Sequence, residues 1–154
     1  MSAIEKAAPV QGLRVIEISQ AAASVAGRYL ADLGAEVIKI EPEDGEASRR
    51  VEPLLDLPNG ESVSSFWLAF NVGKKSVCVD LETAQGQAQF VELARSADIV
   101  ITDFERLTAR DSDDLAALAR AANPALVWTE IWPFGRGQPC ETYSAGDLSV
   151  QALG

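Results

Sequence analysis

Histidine is absent from this sequence of 154 residues, and only two cysteines occur, at positions 78 and 140. The lack of imidazole excludes catalysis by a Ser-His or Cys-His pair and the usual histidine-containing zinc sites. We therefore predict a protein without a metal site. Any catalytic step must use a carboxylate, a lysine, a hydroxyl, a thiol or backbone N–H groups.

Long hydrophobic runs are missing as well. No run approaches the roughly 20 apolar residues of a membrane-spanning helix, and residues 1–9 lack the apolar segment of a secretory signal. We therefore expect a cytoplasmic protein that does not bind membranes, with both cysteines reduced. Cys78 lies in an apolar, strand-like run and is expected to be an inert core residue, whereas Cys140 lies in a loop.

Positive charge is scarce. The chain has 13 lysine and arginine residues against 23 aspartate and glutamate residues, which gives a formal net charge of −10. Nucleic-acid binding depends on a basic surface that attracts phosphates, so we expect no nucleic-acid partner. A polyanionic small molecule can still bind where positive side chains converge locally.

The residues that are present alternate between short β-rich apolar runs and helical patterns, within a length that suits one domain. This alternation predicts an α/β fold, with a Rossmann-like parallel sheet, helices on both faces and right-handed crossovers. Strands are predicted at residues 13–18, 36–41, 76–80, 98–102 and 126–131, and helices at residues 21–33, 83–96, 111–123 and from 146 onward.

Local signals mark where some of these elements begin and end. Gly34 is expected to end the first helix in a left-handed conformation, and Thr83 is expected to cap the helix that follows it. Residues 42–65 contain three prolines, two glycines and many charges. We predict a long surface loop there, with a short helical turn near residues 48–55, and an irregular segment over residues 65–71. A long loop in a compact domain is usually functional or mobile.

Ligands of parallel sheets bind beyond the carboxyl ends of the strands. No Gly-x-Gly-x-x-Gly or Walker lysine motif is present to hold a phosphate there. After the first strand, residues 19–24 are mostly small, and free amides at a helix start would favour an anion. Close packing of the helix on the sheet explains the same residues and is the favoured interpretation.

Two further segments, one just before the third predicted strand and one just after the fourth, each admit two interpretations. Gly73, followed by Lys74 and Lys75, could present backbone amides and positive charge to a phosphate, or could form a solvated charged turn. Asp103 and Phe104 directly follow the fourth predicted strand, where they could meet a ligand. The alternative for Asp103 is that it caps a helix, with surface arginines behind it.

The last part of the chain is equally open to interpretation. The loop of residues 132–139 is rich in glycine and proline, and it could serve binding, packing or an ordinary connection. Asp147 begins the final predicted helix, and its favoured role is to bond the amides of the first helical turn.

Four sequence blocks together resemble CoA-transferase family III, the group that contains carnitine-CoA and formyl-CoA transferases. In the third block, family members typically have Asn-Arg-Gly-Lys-Arg-Ser, and here Val72 and Lys75 replace the two arginines. The resemblance spans nearly all of this chain, but that length is less than half of a typical family member. The blocks are residues 12–19, 30–42, 71–81 and 123–152.

The resemblance implies that residues 1–154 form the amino-terminal part of a Rossmann-like large domain that binds coenzyme A, incomplete relative to the full family fold. Family members move CoA from an acyl-CoA to a carboxylic acid. An aspartate attacks the thioester, giving a mixed anhydride and then an aspartyl-CoA thioester, while glycine-rich backbone amides stabilise the oxyanion. The family pattern places this nucleophile beyond residue 154, so we expect the isolated chain to be inactive. The family's interlocked dimers imply a homodimer or an assembly with a longer chain.

Residue by residue, the resemblance also implies a CoA-binding site. Family members often have asparagine in the place of Asp103, where a carboxylate would repel the CoA phosphates unless an arginine offsets it. To offset those phosphates, we expect positive side chains to converge near the pocket, from the candidates Arg49, Arg50, Lys74, Lys75, Arg106, Arg110 and Arg136. The positions that match CoA-contacting residues of the family are Ala22, Ala23, Asn71, Gly73, Lys74, Asp103, Phe104, Arg110 and Trp132.

Asp147 is the catalytic candidate that this chain offers, and it ranks second to a nucleophile beyond residue 154. It matches an aspartate at the start of a helix in the family. In the related acyl-CoA racemases a His-Asp pair occupies these two positions, so Gly146 disfavours a racemase. Two alternatives stay open: a non-catalytic CoA-binding or assembly subunit, and a generic nucleotide-binding α/β domain.

Overall fold

The computed structural model describes residues 8–20, 22–103, 107, 109–141 and 147–153. None of the helices in these ranges is long and apolar enough to cross a membrane. In chain order, the elements are β1 (Arg14–Ile18), α1 (Ala22–Asp32), β2 (Glu36–Glu41), a 3-10 turn (Ala47–Arg50), β3 (Leu54–Asp56), β4 (Ser62–Ser64), α2 (Ser65–Asn71), β5 (Lys75–Cys78), α3 (Ala84–Ala94), β6 (Ile99–Asp103), α4 (Ala109–Ala122), β7 (Val127–Ile131) and α5 (Asp147–Leu153).

The five longer strands form one sheet in the order β5-β2-β1-β6-β7, and every neighbouring pair is parallel. The chain runs outward from β1 through β2 to β5 and then returns to place β6 on the other side of β1. The carboxyl ends of β1 and β6 therefore border a crevice where the strand order reverses, which is the usual ligand position in such sheets. This topology confirms the predicted α/β fold with a Rossmann-like parallel sheet.

Apolar side chains cover both faces of the sheet because successive residues of a strand point to opposite sides. Ile16 lies in one buried cluster with Phe90 of α3 and Leu115 of α4, whereas its neighbour Val15 lies in a second cluster with Ala23 of α1. Helices thus cover both faces, as predicted. In the five-stranded sheet, the buried polar positions lie toward the carboxyl ends of β1, β2 and β6, and they include the residues of the site described below.

The predicted strands and the longer helices are confirmed to within about two residues at each end. Gly34 follows α1 with a φ of 103°, in the left-handed region that suits glycine. The Thr83 hydroxyl caps α3 by accepting the backbone N–H of Gly86 at 3.0 Å. These signals are local, which is why the sequence alone carries them.

Residues 65–71 form helix α2, so the prediction of an irregular segment is wrong. The Ser64 hydroxyl caps this helix by accepting the N–H of Trp67 at 3.1 Å. The rings of Phe66 and Phe70, one turn apart, contact each other with centroids 4.6 Å apart. The helix has seven residues, which is too short to show a helical period in the sequence.

The segment of residues 42–65 has more regular structure than the predicted loop, although residues 51–62 are exposed. The 3-10 turn overlaps the predicted helical turn by three residues, 48–50. Strands β3 and β4 pair antiparallel as a short hairpin that was not predicted. Between them lies Asn59-Gly60, with Gly60 at a φ of 84°, and this dipeptide is a hairpin signal that could have identified the turn.

Cys78 is exposed, which contradicts its predicted place in the core. The reason is that β5 is an edge strand of the sheet, and Cys78 is its last residue. The sequence shows that a strand is present but does not show whether neighbours lie on one side of it or on both. Cys140 is partly buried.

Candidate functional site

Asp103 occupies the crevice between β1 and β6. It is the last residue of β6 and is only 1% exposed. Its carboxylate accepts the backbone N–H of Gln20, at 3.1 Å and 3.3 Å from the two oxygens, and the N–H of Ala23 at 3.3 Å. Ala23 lies in the first turn of α1 and Gln20 lies two residues before that helix. N–H groups at a helix start have no partner within the helix, and the helix dipole favours negative charge there. Asp103, at the end of β6, therefore caps helix α1, which follows β1 in the chain.

This contact bears on both interpretations of residues 19–24. The amides of Gln20 and Ala23 do serve an anion, as helix starts often do, but the anion is the carboxylate of a residue 80 positions later in the chain. The capping role considered for Asp103 is observed, and the sequence did not show that its helix would be α1. Contacts of CoA with Ala22 and Ala23 stay a prediction.

A buried cluster of charged side chains lies beneath α1, next to this crevice. Glu17 of β1 and Lys39 of β2 are neighbours in the sheet register, and Lys39 Nζ lies 2.8 Å from Glu17 Oε1. The same ammonium lies 2.8 Å from Oε2 of Glu46, in the loop after β2. It also donates to the hydroxyls of Ser19 and Ser24 at 3.1 Å. The three charged side chains are exposed by 2% or less, so water screens them very little.

Lys74 completes this ion cluster and points inward. Its Nζ lies 2.7 Å from Glu17 Oε2, and it donates to the Ser24 carbonyl at 2.8 Å and to Asn71 Oδ1 at 3.0 Å. Burial lowers the pKa of Lys74, and the adjacent Glu17 carboxylate opposes this shift. The lysine that was expected to meet a phosphate thus neutralises a buried carboxylate. Contacts of CoA with Asn71, Gly73 and Lys74 stay a prediction.

Gly27 makes room for the ion cluster, and Gly73 forms the turn next to Lys74. Gly73 has a φ of 83° in the turn that joins α2 to β5, and the N–H of Lys74 closes that turn on the Asn71 carbonyl at 3.2 Å. On α1, a Cβ at Gly27 would lie 1.8 Å from Oε2 of Glu17. The small residues of α1 therefore allow the helix to lie directly on the charged side chains.

Glu41, the last residue of β2, forms a second charged group at the same edge. Arg49 donates to its carboxylate at 2.5 Å and 2.7 Å, Ser76 donates from β5, and the N–H of Glu46 donates at 3.1 Å. The guanidinium also lies 3.8 Å from the centroid of the Trp67 ring, which is a cation–π geometry. Burial acts to raise the pKa of Glu41, but the hydrogen bonds from Arg49, Ser76 and Glu46 outweigh it and lower the pKa to about 2.

The depressed pKa of Glu41 predicts a specific acid sensitivity. A carboxyl group whose pKa falls from 4.5 to about 2 on folding stabilises the fold above pH 4.5 and loses that contribution as the pH falls toward 2. By linkage, about 2 kcal/mol of this contribution is lost between pH 7 and pH 3. Urea unfolding should therefore show that the advantage of wild type over Glu41→Gln shrinks by about this amount.

The matched control for this prediction is Glu43→Gln, two residues further on, where the side chain is exposed. It should change the free energy of unfolding by less than about 0.5 kcal/mol at either pH. An advantage of wild type over Glu41→Gln that stays constant from pH 7 to pH 3 would contradict the assigned pKa.

At the other edge of the sheet, Arg136 anchors the loop after β7. Its Nη2 lies 2.7 Å from Asp113 Oδ2 and its Nη1 lies 2.9 Å from Glu130 Oε2. Glu130 also accepts the indole N–H of Trp132 at 3.0 Å and the Ser112 hydroxyl at 2.6 Å. Burial acts to raise the pKa of Glu130, but the hydrogen bonds that its carboxylate accepts outweigh burial, so the pKa is lowered overall. Trp132 is thus fixed at the carboxyl end of β7, and its contact with CoA stays a prediction.

The positive side chains do not converge in the part of the chain that the structure describes, contrary to expectation. Arg49 pairs with a glutamate at the carboxyl end of β2, and Lys75 pairs with a glutamate at the amino end of β2. Arg136 lies beyond β7. The chain has 23 acidic residues and only 13 basic ones, and each of these three cations forms an ion pair with a carboxylate of the protein. Arg106 and the side chain of Arg110 lie outside the described residues. The partners of the two other candidates are Glu17 for Lys74 and Asp44 for Arg50.

Four predicted positions cannot be placed by their side chains. Phe104 lies outside the described residues. Ala22 begins α1, Arg110 lies in the first turn of α4 and Asp147 begins α5, but their side chains are also outside the described part. Contacts of Ala22, Phe104 and Arg110 with CoA stay predictions, as does a catalytic role for Asp147.

The sequence interpretation missed Glu17, Lys39 and Glu46. A signal for the first two was present, because each is a single charge within an apolar strand-like run, and charges are rarely buried unless they are paired. The strand order that makes them neighbours is a property of the fold. Glu46 lies in the segment that was predicted as a surface loop, so nothing in its surroundings indicated burial.

A cavity of about 340 Å³ lies at the starts of α3 and α4. Its walls include the apolar Leu107 and Leu115 and the carboxylates of Glu82, Asp111 and Asp114. Three carboxylates make it unsuited to phosphate groups. Among the described residues, no group of three cysteine, aspartate or glutamate side chains is arranged to hold a metal ion.

Several known proteins with similar sequences are CoA-transferases. A sequence model of CoA-transferase family III matches residues 10–154. A succinate–glutarate CoA-transferase of Agrobacterium fabrum is 39% identical over 150 residues, which are 94% of this chain and 37% of the relative. A probable fatty acyl-CoA transferase of Mycobacterium tuberculosis, Rv3272, is 38% identical over 151 residues, which are 95% of this chain and 37% of the relative.

Solved structures of such proteins are similar as well. A crystal structure of a CAIB/BAIF family protein from Brucella suis matches with a TM-score of 0.84 at 30% identity, covering 97% of this chain and 40% of that one. The orthorhombic form of Rv3272 matches with a TM-score of 0.81 at 36% identity, covering 96% of this chain and 41% of that one. This chain therefore spans about 37% of the length of both curated relatives.

Proposed function

This chain belongs to CoA-transferase family III, and on that premise we propose that it is the CoA-binding, amino-terminal part of an enzyme that moves CoA from an acyl-CoA to a carboxylic acid. The observation that carries the proposal is the family match over residues 10–154. The fold supports it, because the loops at the carboxyl edge of a parallel sheet are where such folds bind nucleotide-bearing ligands.

In this proposal the strand-tip loops form the CoA site, and the buried side chains hold those loops in place. The side chains of Lys74 and Asp103 bond to groups of the protein itself, so these residues contribute by holding the neighbouring loops in place. Gly73 lies in the exposed turn that leads into the amino end of β5, so its proposed contact with CoA rests on the family resemblance alone. The positions proposed to surround CoA are Ala22, Ala23, Asn71, Gly73, Lys74, Asp103, Phe104, Arg110 and Trp132.

The proposed chemistry is covalent catalysis by an aspartate. Its carboxylate attacks the thioester carbonyl, and CoA leaves as the thiolate while a mixed anhydride forms. The thiolate then attacks the aspartyl carbonyl of that anhydride, which releases the first acid and leaves an aspartyl-CoA thioester. The acceptor acid reverses these steps and departs as the new acyl-CoA. We place this nucleophile in the portion of the relatives that this chain does not span, and Gly146 argues against the racemase alternative.

We also propose that the protein works in the cytoplasm as a homodimer or with a longer chain. Exposed apolar side chains in and beside the β3–β4 hairpin support assembly, since exposed apolar surface is typical of interaction sites. Sedimentation analysis that finds only monomers would contradict this. The side chains are Val51, Leu54, Leu55 and Leu57.

Calorimetric titration of the 154-residue chain with CoA tests the proposed function. We expect saturable binding with a dissociation constant of about 1 mM or tighter, equivalent to at least about 4 kcal/mol. NAD is the control ligand, because the rival nucleotide-binding domain would take both. No heat with CoA at millimolar concentration would contradict the CoA site, and equal binding of NAD would favour the rival.

An activity assay separates CoA binding from catalysis. The chain should not transfer CoA from succinyl-CoA to glutarate, the acids named for one relative, because its nucleophile is proposed to lie elsewhere. Transfer above the uncatalysed rate would show that a residue within this chain, with Asp147 as the first candidate, carries the reaction.

A further inference from the structure

The start of α1 has the position of a phosphate site. In sheets of this topology a phosphate binds the amides at the start of the helix that follows the first strand, where the strand order reverses. In this chain that crevice lies between β1 and β6. The carboxylate of Asp103 already lies there, and the N–H groups of Gln20 and Ala23 donate to it.

Burial and charge make this carboxylate equivalent to a bound anion. Asp103 is 1% exposed, and the first turn of α1 supplies no acidic residue of its own. One negative charge at these amides meets the favourable end of the helix dipole, whereas a second anion would meet repulsion at short range. We propose that Asp103 is a specificity-determining residue, which holds the anion position with the chain's own carboxylate and excludes ligand phosphates from the start of α1.

The consequence is that the phosphates of any nucleotide-bearing ligand bind elsewhere along the carboxyl edge. This inference concerns the anion specificity of the fold and does not depend on CoA binding. The test of this inference uses inorganic phosphate. A negative result with phosphate would not contradict CoA binding, and a negative titration with CoA would not contradict the role proposed for Asp103.

Substituting Asp103 with alanine should open the amides of α1 to inorganic phosphate. Nuclear magnetic resonance of ¹⁵N-labelled protein can follow the Gln20 and Ala23 amide signals during a phosphate titration at constant ionic strength. We expect saturable shifts of both signals in Asp103→Ala, with an apparent affinity at least about tenfold tighter than in wild type. A purely structural role for Asp103 would lower stability without this gain of phosphate binding.

The matched control is Asp98→Ala. The Asp98 carboxylate also accepts a backbone N–H, that of Arg14 at 2.8 Å, but it does so at the amino end of the sheet and away from a helix start. This variant should gain no phosphate binding at Gln20 or Ala23. An equal gain in the control would overturn the proposal, as would wild-type amides that bind phosphate as tightly as those of Asp103→Ala.

Loss of folding in Asp103→Ala would still give an answer. The proposal then requires that phosphate restore folding, measured by circular dichroism, while chloride at the same ionic strength does not. A variant that folds without gaining phosphate binding, or that stays unfolded in saturating phosphate, would overturn it.

Discussion

Replacing Lys39 with methionine is expected to lower the free energy of unfolding by about 3 to 5 kcal/mol. The ammonium of Lys39 lies 2.8 Å from carboxylate oxygens of both Glu17 and Glu46, and all three side chains are almost completely buried. Methionine fills a similar volume but supplies no charge. Glu17 would keep Lys74 as a partner, whereas Glu46 would lose the cation beside it. Since whole domains of this size are stable by about 5 to 15 kcal/mol, the loss would be visible in urea or thermal unfolding.

Lys75→Met is the matched control for this prediction. Lys75 is also paired with a glutamate, Glu36, but its side chain is 69% exposed, and exposed pairs contribute at most about 1 kcal/mol. A second comparison adds Glu46→Gln to Lys39→Met, which removes the uncompensated charge and should recover part of the loss. Equal effects of Lys39→Met and Lys75→Met would show that burial of the ion cluster is not what stabilises this edge of the sheet.

The ion cluster also shows where prediction from the sequence ends. The strands at β1 and β2 could be predicted because runs of valine and isoleucine have one preferred conformation and need burial. Glu17 and Lys39 stand out within those runs, yet only the parallel register of β1 with β2 makes them partners. The alternation of strands and helices predicts the class of fold, and pairing between distant residues follows from topology that no local pattern contains.

Asp103 illustrates the same limit for the site. Its position after a strand placed it correctly at the carboxyl edge, and a capping role was one of its two interpretations. Its partners, Gln20 and Ala23, are about 80 residues away in the sequence, and they become neighbours only because β6 lies beside β1. The prediction of a buried Cys78 was wrong for a related reason, since the exposure of this residue depends on β5 being an edge strand. Helix α2 was not predicted because its seven residues are too few to show a helical period in the sequence.

Replacing Gly86 with alanine is expected to destabilise the protein by at least about 2 kcal/mol. Gly86 lies in the first turn of α3, and helix propensity alone predicts the opposite, a gain of about 1 kcal/mol for alanine over glycine. A Cβ at this position would lie 1.8 Å from the carbonyl oxygen of Asp80 and 2.5 Å from its carbonyl carbon. These are backbone atoms, so no side-chain rotation relieves the clash.

The clash also acts on the capping of α3. The N–H of Gly86 donates to the Thr83 hydroxyl at 3.0 Å, and that hydroxyl donates to the Asp80 carbonyl at 2.9 Å. Moving the helix away from Asp80 to admit a methyl group would stretch both hydrogen bonds. Gln89→Ala, on the exposed side of α3, is the control, and it should change stability by less than about 0.5 kcal/mol. If Gly86→Ala proved as stable as wild type in urea unfolding, propensity would outweigh packing at this turn, and the close approach of α3 to the end of β5 would not be a constraint on the fold.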